Sequence, residues 1–303
     1  MPITILGNYP ALTRCHTDFW SLDRALRNQR GDFGIPNRCM IEVYGAPGVG
    51  KSTWVYTIAS KINPTKGIAL ADLEGLDPKY VTNVMEFAKF NGSVEFITED
   101  SDEKTLDKLI SVLSREDMCA GILDSVGAIS PIAEREGDMG EAVMGRRAKL
   151  MAVLSRKAIF TLRIKEEPSS LFLINHVQQL IGGMGSTTAG GDSKKYMSAI
   201  RIRLSATERF DDGSHLVTGK IEKNRFGIGQ QQFTMFYLGG KGFHQGLSAM
   251  FDCITLGIAK RDRTIKIGDD SYGFISKTFE KALTGDDAFF LPFQEALKTY
   301  EKE

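Results

Sequence analysis

The chain of 303 residues is poor in the residues that build metal centres and disulfide frameworks, with four cysteines and four histidines. The cysteines form no C-x-x-C pair and lie far apart, at Cys15, Cys39, Cys119 and Cys253. Structural zinc needs closely spaced Cys and His ligands, and small disulfide-stabilised domains need many cysteines. We therefore expect reduced thiols that mostly fill the core, and neither a zinc site nor a disulfide.

Long apolar runs are missing as well. No stretch approaches the roughly 18 apolar residues that a membrane-spanning helix needs. The first residues, MPITILGNYPALTR, lack the basic and then apolar pattern of a signal peptide. We expect a cytoplasmic protein with no membrane partner.

A surplus of either charge is also absent, because 38 Lys and Arg balance 38 Asp and Glu. Nucleic-acid binding would then need a local basic patch. Residues 142–165 contain no acidic residue, and their basic residues include Arg146, Arg147, Lys149, Arg156, Lys157 and Arg163. Such a basic run is usually a solvated helix face and less often a nucleic-acid-binding patch. Its position relative to other motifs must decide between these two interpretations.

Short, almost wholly apolar segments alternate with helical ones. The pattern predicts strands over 39–45, 67–73, 94–98, 119–124 and 170–175. It predicts helices over 52–62, 78–90, 104–115 and 141–165. Such an alternation indicates an α/β fold with a doubly wound, mostly parallel sheet that is covered on both faces.

The pattern changes after Gly191. The segments 199–208, 215–224 and 231–239 alternate between apolar and polar residues, which predicts antiparallel strands that extend the sheet. We divide the chain into an N-terminal segment over 1–18, an α/β core over 19–245 and a small α+β C-terminal domain over 246–303.

The stretch GAPGVGKS fits the phosphate-loop pattern G-x-x-x-x-G-K-[ST] and lies between a predicted strand and a predicted helix. Glycines let several backbone N–H groups face a phosphate, and the helix N-terminus adds positive potential. Lys51 would reach the β- and γ-phosphates, and Ser52 would hold Mg²⁺. The predicted nucleotide-binding residues are Gly45, Ala46, Pro47, Gly48, Val49, Gly50, Lys51, Ser52 and Thr53. The alternative is a tight glycine-rich turn with an exposed lysine.

Carboxylates end two further predicted strands. AGILD ends in Asp124, which is placed to hold Mg²⁺ through water, and ALADLE ends in Asp72 and Glu74. Alternation would put Asp72 and Glu74 on the same side of their strand. Glu74 is a candidate general base that orients water onto the γ-phosphate. The alternative for each is an ordinary carboxylate in a turn.

Several longer segments extend these motifs. They are WSLDRAL (20–26), GIPNRCMIEVYG (34–45), ADLEGLDPKY (71–80), ILDSVGAISPIAEREGDMGEAVMG (122–145), FLINH (172–176), TTAGGDSKKY (187–196) and KIEKNRFG (220–227). Their order and spacing resemble those of RecA-type recombinases, and the resemblance runs from Trp20 to Gly268. The chain is similar to divergent members of that family, such as phage-encoded ones.

The resemblance implies roles that the residue patterns alone do not. Asp77 and Tyr80 would contact the adenine, and Glu74 takes the position of the catalytic glutamate. Lys223 and Arg225 match basic residues that reach the ATP of a neighbouring subunit. There they would act as arginine fingers, because they would stabilise the charge that develops on the γ-phosphate.

The resemblance also implies two loops that bind single-stranded DNA, over 134–145 and 177–191. Met144 matches an apolar residue that wedges between bases. The implied DNA contacts are Met144, Gly145, Arg146, Arg147, Lys149, Gln178, Gly182, Gly183, Thr187, Thr188, Gly190 and Gly191. Neither loop contains an aromatic residue, so backbone contacts would dominate and the sequence of the DNA would matter little.

The implied activity is that of a recombinase with ATP and Mg²⁺ as cofactors. It would form filaments on single-stranded DNA, pair that DNA with a homologous duplex, exchange strands and hydrolyse ATP. Two alternatives stay open: a hexameric helicase with a RecA core, which would form rings, and an accessory paralogue without ATPase activity.

The chain also departs from the family. His176 stands where bacterial members have a Gln that senses the γ-phosphate, and the second loop is shorter. Only residues 1–18 precede the matching region, so we expect no docking helix, although MPITIL could add a strand to a neighbour's sheet.

Overall fold

The computed structural model describes residues 12–132, 145–179, 186–188 and 193–301. The strands are β1 (Arg14–Cys15), β2 (Ile35–Pro36), β3 (Met40–Gly45), β4 (Gly67–Asp72), β5 (Val94–Ile97), β6 (Met118–Asp124), β7 (Ser170–Gln179), β8 (Ser186–Thr188), β9 (Ile200–Arg209), β10 (His215–Asn224), β11 (Gln232–Leu238), β12 (Gly242–Phe243), β13 (Ala259–Arg261), β14 (Ile265–Ile267) and β15 (Asp270–Ser271). The α-helices are α1 (Trp20–Ala25), α2 (Lys51–Ile62), α3 (Pro78–Phe87), α4 (Asp102–Leu113), α5 (Arg146–Ile164), α6 (Ser193–Met197), α7 (Gln245–Thr255), α8 (Ile275–Leu283) and α9 (Leu291–Tyr300). Short 3-10 turns cover Val126–Ala128 and Asp287–Phe290.

Among the described residues, ten strands form one sheet in the order β12-β11-β10-β9-β3-β7-β6-β4-β5, with β8 paired to β7. The strands from β9 to β5 run parallel, and β9 to β12 are antiparallel. The predicted α/β class with a mostly parallel sheet is confirmed. The predicted antiparallel extension is confirmed as well, and β9 joins it to the parallel strands, because β9 runs parallel to β3 and antiparallel to β10.

Helices cover both faces of the sheet, as the apolar strands predict. Ile41 and Val43 of β3 lie in one cluster with Trp54 of α2. Leu173 of β7 lies in a second cluster with Leu154 of α5 and residues of α4. Because side chains alternate along a strand, Glu42, between Ile41 and Val43, points away from α2. This geometry leaves the carboxyl edge of the parallel strands open for a ligand.

Two predicted element ends were wrong. Helix α5 begins at Arg146 and not at residue 141, because Gly145 has a left-handed φ of 90° that a helix cannot contain. Strand β7 does not end at Asn175 but continues to Gln179, because residues 177–179 pair with residues 186–188 of β8. Part of the second predicted DNA loop, over 177–191, is therefore a β-hairpin.

The C-terminal residues pack on β11. Phe236 and Leu238 of that strand share a third apolar cluster with residues of α7, α8 and α9. The rings of Phe236 and Phe251 are stacked, with centroids 5.1 Å apart. The division of the chain at residues 245 and 246 stays a prediction. No helix in the described part of the chain is long and apolar enough to span a bilayer.

Candidate nucleotide site and DNA-binding surface

The glycines of the phosphate loop are required by its geometry. A side chain at Gly45 would place its Cβ 2.4 Å from the carbonyl oxygen of Leu204 on the neighbouring strand β9. Gly50 has a φ of 87° and is the N-cap of α2. The chain thus turns sharply from β3 into α2, whose first N–H groups have no partner within the helix. Such a helix start can hold a phosphate.

Lys51 and Asp124 lie at the base of this loop. Lys51 is buried, and its Nζ donates to the carbonyl oxygen of Ala46 at 3.1 Å. Burial lowers the pKa of Lys51, while the charges of Asp124 and Glu74 oppose this shift. Asp124 accepts a hydrogen bond from the Tyr56 hydroxyl at 2.8 Å through Oδ2. Tyr56 was not predicted as a site residue, since nothing in an apolar helix marks it.

Asp124 and Ser52 fit a magnesium site. Oδ1 of Asp124 is buried and has no hydrogen-bond partner within the described ranges. Burial raises the pKa of Asp124 to about 6; the Ser52 and Tyr56 hydroxyls oppose this rise, and Glu74 and Asp72 add to it. A hydroxyl and a carboxylate, with water, are the hard oxygen ligands that Mg²⁺ prefers. A buried polar oxygen that lacks a protein partner is the kind of group that such an ion or its water would satisfy.

Asp72 and Glu74 differ in position and in contacts, although alternation suggests that they lie on one strand face. Strand β4 ends at Asp72, whose Oδ1 accepts from the backbone N–H groups of Glu74 at 2.9 Å and Gly75 at 3.1 Å. Its Oδ2 accepts from Leu76 N–H at 2.6 Å. Asp72 therefore shapes the turn, and the turn presents Glu74. The expectation that both residues project from one strand face was wrong, because the strand stops before Glu74.

Glu74 is held by two donors, one from the residue that follows β6 and one from β7. Oε1 accepts from the Ser125 hydroxyl, and it lies 2.9 Å from Nε2 of His176. Burial tends to raise the pKa of Glu74, but these hydrogen bonds and the charge of Lys51 outweigh it, and the pKa is lowered. Gly127 leaves room for the imidazole, because a Cβ there would lie 3.2 Å from Cδ2 of His176. The structure thus brings together Glu74 and His176, which the sequence placed on separate strands. It adds Ser125, which was not predicted.

The two residues implied to contact adenine lie at the start of α3. Asp77 is its N-cap and accepts from Lys79 N–H at 2.9 Å. Tyr80 is 36% exposed, and its hydroxyl is hydrogen-bonded to that of Thr53 on α2. Tyr80 also packs edge-on against Tyr56, with ring centroids 6.5 Å apart. Asp77 thus has a structural role in the helix, and the exposed ring of Tyr80 borders the phosphate-loop helix.

Lys223 and Arg225 lie away from the phosphate loop of their own chain. In the register of the sheet, Lys223 lies opposite Arg201 on β9, and Arg201 lies opposite Glu42 on β3. Glu42 is three residues before Gly45. At about 3.3 Å per residue, this level is roughly 10 Å toward the amino end of β3. Lys223 Nζ donates to the carbonyl oxygens of Lys195 at 2.7 Å and Tyr196 at 2.9 Å. Arg225 also donates to the carbonyl oxygen of Tyr196. Both cations therefore hold the end of α6.

The implied DNA contacts are only partly described. Gly145 caps α5, Arg146 and Lys149 are exposed in its first turn, and Arg147 is half-buried there. Of Gln178, Thr187 and Thr188, the structure describes the backbone, which pairs β7 with β8. The other predicted contacts lie outside the described residues, namely Met144, Gly182, Gly183, Gly190 and Gly191. The same holds for most of the first predicted loop, over 134–145.

Comparison with known proteins agrees with this arrangement. Residues 12–242 match the family model of the RecA N-terminal domain. Protein RecA of Chlorobium limicola is 28% identical over 290 residues, which cover 90% of this chain and 79% of that protein. Protein RecA of Treponema pallidum is 29% identical over 286 residues, which cover 86% and 67%. Protein RecA of Mycoplasma mycoides subsp. mycoides is 31% identical over 227 residues, which cover 72% and 64%.

The fold and the phosphate loop define an α/β protein of the P-loop class, with a mostly parallel sheet and its site at the carboxyl edge. The chain belongs to the RecA family, since the family model covers more than half of it. The resemblance that the segments between Trp20 and Gly268 indicate is thereby confirmed.

Proposed function

We propose that this protein is an ATP-dependent DNA recombinase that assembles on single-stranded DNA, pairs it with a homologous duplex and exchanges strands. The observation that carries this proposal is the 2.9 Å contact between Glu74 Oε1 and His176 Nε2. Glu74 belongs to the nucleotide site, and His176 lies on β7, directly before the β7–β8 hairpin. A contact between these residues couples the state of the nucleotide to the predicted second DNA loop.

Four side chains would have separate roles in the nucleotide site. Lys51 would bind the β- and γ-phosphates, Ser52 would hold Mg²⁺ directly, and Asp124 would hold it through water. The ion would neutralise charge that develops on the phosphates. Glu74 would accept a hydrogen bond from the attacking water and orient it. Because donors from Ser125 and His176 lower the basicity of Glu74, we expect slow hydrolysis until DNA rearranges these contacts.

Hydrolysis would also require a neighbouring subunit. Lys223 and Arg225 lie too far from their own phosphate loop along the register to serve it. Their positions at and just beyond the end of β10 would let them approach the ATP of an adjacent protomer, where positive charge stabilises the transition state. Assembly into a helical filament would thus complete each site.

Single-stranded DNA would bind along the start of α5 and the β7–β8 hairpin. The zero net charge makes the local patch of Arg146, Arg147 and Lys149 the source of electrostatic affinity. The more distal Lys157 is paired with Asp107 on α4. The charge of the distal part of α5 is therefore partly neutralised within the protein.

The salt dependence of binding tests this surface. We expect Lys149→Gln to weaken binding of a fluorescently labelled oligothymidine and to reduce the slope of log affinity against log salt by about 0.7. Arg163→Gln, on the exposed distal part of the same helix, is the matched control and should leave the slope unchanged. Titrations by fluorescence anisotropy at several salt concentrations measure both slopes. Equal slopes for Lys149→Gln and the wild type would remove this turn from the DNA surface.

Electron microscopy tests the assembly step of the proposed function. With a non-hydrolysable ATP analogue, Mg²⁺ and single-stranded DNA, we expect helical filaments that extend along the DNA. Omission of the nucleotide should abolish them. Closed rings in place of filaments would favour the helicase alternative.

A further inference from the structure

A row of polar side chains, of which three are buried and two half-buried, crosses the sheet from β7 to β10. It consists of Asn175 on β7, Glu42 and Tyr44 on β3, Arg201 on β9 and Glu222 on β10, and we call it the polar row. Glu42 is fully buried in the centre of an otherwise apolar strand. An ionised carboxylate in such a position is costly unless it is paired and hydrogen-bonded.

The contacts of the polar row are continuous. Glu42 Oε1 accepts from Asn175 Nδ2 at 3.0 Å, and its Oε2 accepts from Arg201 Nε at 2.6 Å. Arg201 Nη1 lies 3.8 Å from Oε2 of Glu222, which also accepts from the Tyr44 hydroxyl. The guanidinium of Arg201 lies 4.9 Å from the centre of the Tyr44 ring. Burial opposes the charge of Arg201, but Glu42 outweighs it and the pKa of Arg201 is raised.

Glu222 lies at a β-bulge of β10. The register between β9 and β10 shifts between Ile221 and Lys223, so Glu222 is an extra residue in β10. A regular register would pair Glu222 alone with Arg201, whereas the bulge places both Glu222 and Lys223 opposite Arg201. Bulges redirect side chains and are frequent near functional sites.

The two ends of the polar row lie next to residues that contact the segments flanking the second predicted DNA loop. At one end, Asn175 Oδ1 accepts from the backbone N–H of His176 at 2.9 Å, and His176 contacts Glu74. At the other end, Glu222 precedes Lys223, which holds the carbonyl oxygens of Lys195 and Tyr196. The predicted loop, over 177–191, lies between these two anchors along the chain.

We propose that Glu42 is a positioning residue that acts through the polar row. It couples the nucleotide bound by one subunit to the second predicted DNA loop of the same subunit. It also couples that nucleotide to Lys223 and Arg225, which this subunit presents to the next one. This inference rests on the proposed function. A shift of His176 toward a γ-phosphate would move the Asn175 end of the row, and Arg201 and Glu222 would transmit the change to β10. Replacement of such a buried pair by apolar residues is often neutral for stability or even stabilising, so coupling explains the row better than stability does.

The test compares the affinity for DNA in two nucleotide states. The affinity of a labelled oligothymidine is measured by fluorescence anisotropy with Mg²⁺ and either a non-hydrolysable ATP analogue or ADP. The ratio of the two affinities is the coupling, and linkage makes it reciprocal between the nucleotide and the DNA. We expect Glu42→Gln, which keeps the shape of the side chain and removes its charge, to lower this ratio by about tenfold, within the usual range of allosteric coupling.

Asp252→Asn is the matched control. Asp252 is as deeply buried as Glu42, and its carboxylate accepts from the Thr234 hydroxyl at 2.8 Å, but it lies outside the polar row. Asp252→Asn should keep the wild-type ratio even if its unfolding midpoint falls. Tyr44→Phe removes one hydroxyl from the row and should reduce the ratio by a smaller factor, and it serves if Glu42→Gln does not fold.

Wild-type ratios in a folded Glu42→Gln and in Tyr44→Phe would overturn this inference and leave the proposed function standing. An equal loss in Asp252→Asn would overturn it as well, because the loss would then follow from destabilisation. A ratio of one in the wild-type protein would contradict the proposed function itself.

Discussion

Glu74→Gln is expected to bind ATP and assemble on single-stranded DNA, yet to hydrolyse ATP about 10²–10⁴-fold more slowly, the usual contribution of a general base. The turn that presents Glu74 is formed by the side chain of Asp72 and does not involve the Glu74 carboxylate. A glutamine can still accept a hydrogen bond at Oε1 from Ser125. The fold of the site should therefore persist while its basicity is lost.

The control for this substitution is Glu99→Gln. Glu99 is an exposed residue just after β5, the strand next to β4, and its side chain has no place in the proposed site. Steady-state hydrolysis with saturating single-stranded DNA and binding of a fluorescent ATP analogue are measured for both variants. Near-normal turnover in Glu74→Gln would show that another group orients the water.

Lys51→Ala is expected to lose hydrolysis by about 10²–10³-fold, which is the effect of removing one pre-organised donor from an anionic transition state. The affinity for the nucleotide should fall as well, since Lys51 would contact the phosphates before the reaction and not only in the transition state. Nζ of Lys51 is held at the loop by Ala46 at 3.1 Å, so its charge is already placed where the phosphates would lie.

Lys61→Ala on the same helix is the matched control, because Nζ of Lys61 contacts Asp18 at 3.1 Å at the opposite end of α2. Its hydrolysis should equal that of the wild type. Thermal unfolding of Lys51→Ala separates loss of binding from loss of the fold. Wild-type nucleotide affinity in a folded Lys51→Ala would contradict the phosphate-loop assignment.

The general fold and the position of the phosphate loop at the carboxyl edge of the sheet could be predicted from the sequence. The spacing from Gly45 to Ser52 is specific, and Asp124 ends an apolar strand that must lie in a parallel sheet. Because carboxyl ends of parallel strands meet at one edge, these residues had to converge. The topology of β9 was less predictable, since a strand that is parallel on one side and antiparallel on the other shows the same alternation.

The contacts within the site could not be predicted from the sequence alone. The hydrogen bonds to Glu74 come from Ser125, directly after β6, and from His176 on β7, and a linear pattern does not specify which side chains meet at the edge of a sheet. The pairing that extends β7 is likewise a contact between distant backbone groups. The sequence does carry one signal of a buried polar contact, the lone charged Glu42 within the apolar strand MIEVYG.

A strand-exchange assay tests the central claim most directly. The protein, ATP and Mg²⁺ are incubated with single-stranded DNA and a duplex that carries one labelled strand, either homologous or unrelated in sequence. We predict that the labelled strand is released from the homologous duplex only, and that release depends on ATP binding and is absent in Lys51→Ala. Release from both duplexes, as a helicase would give, or from neither, would contradict the proposal that this RecA-family protein is a recombinase.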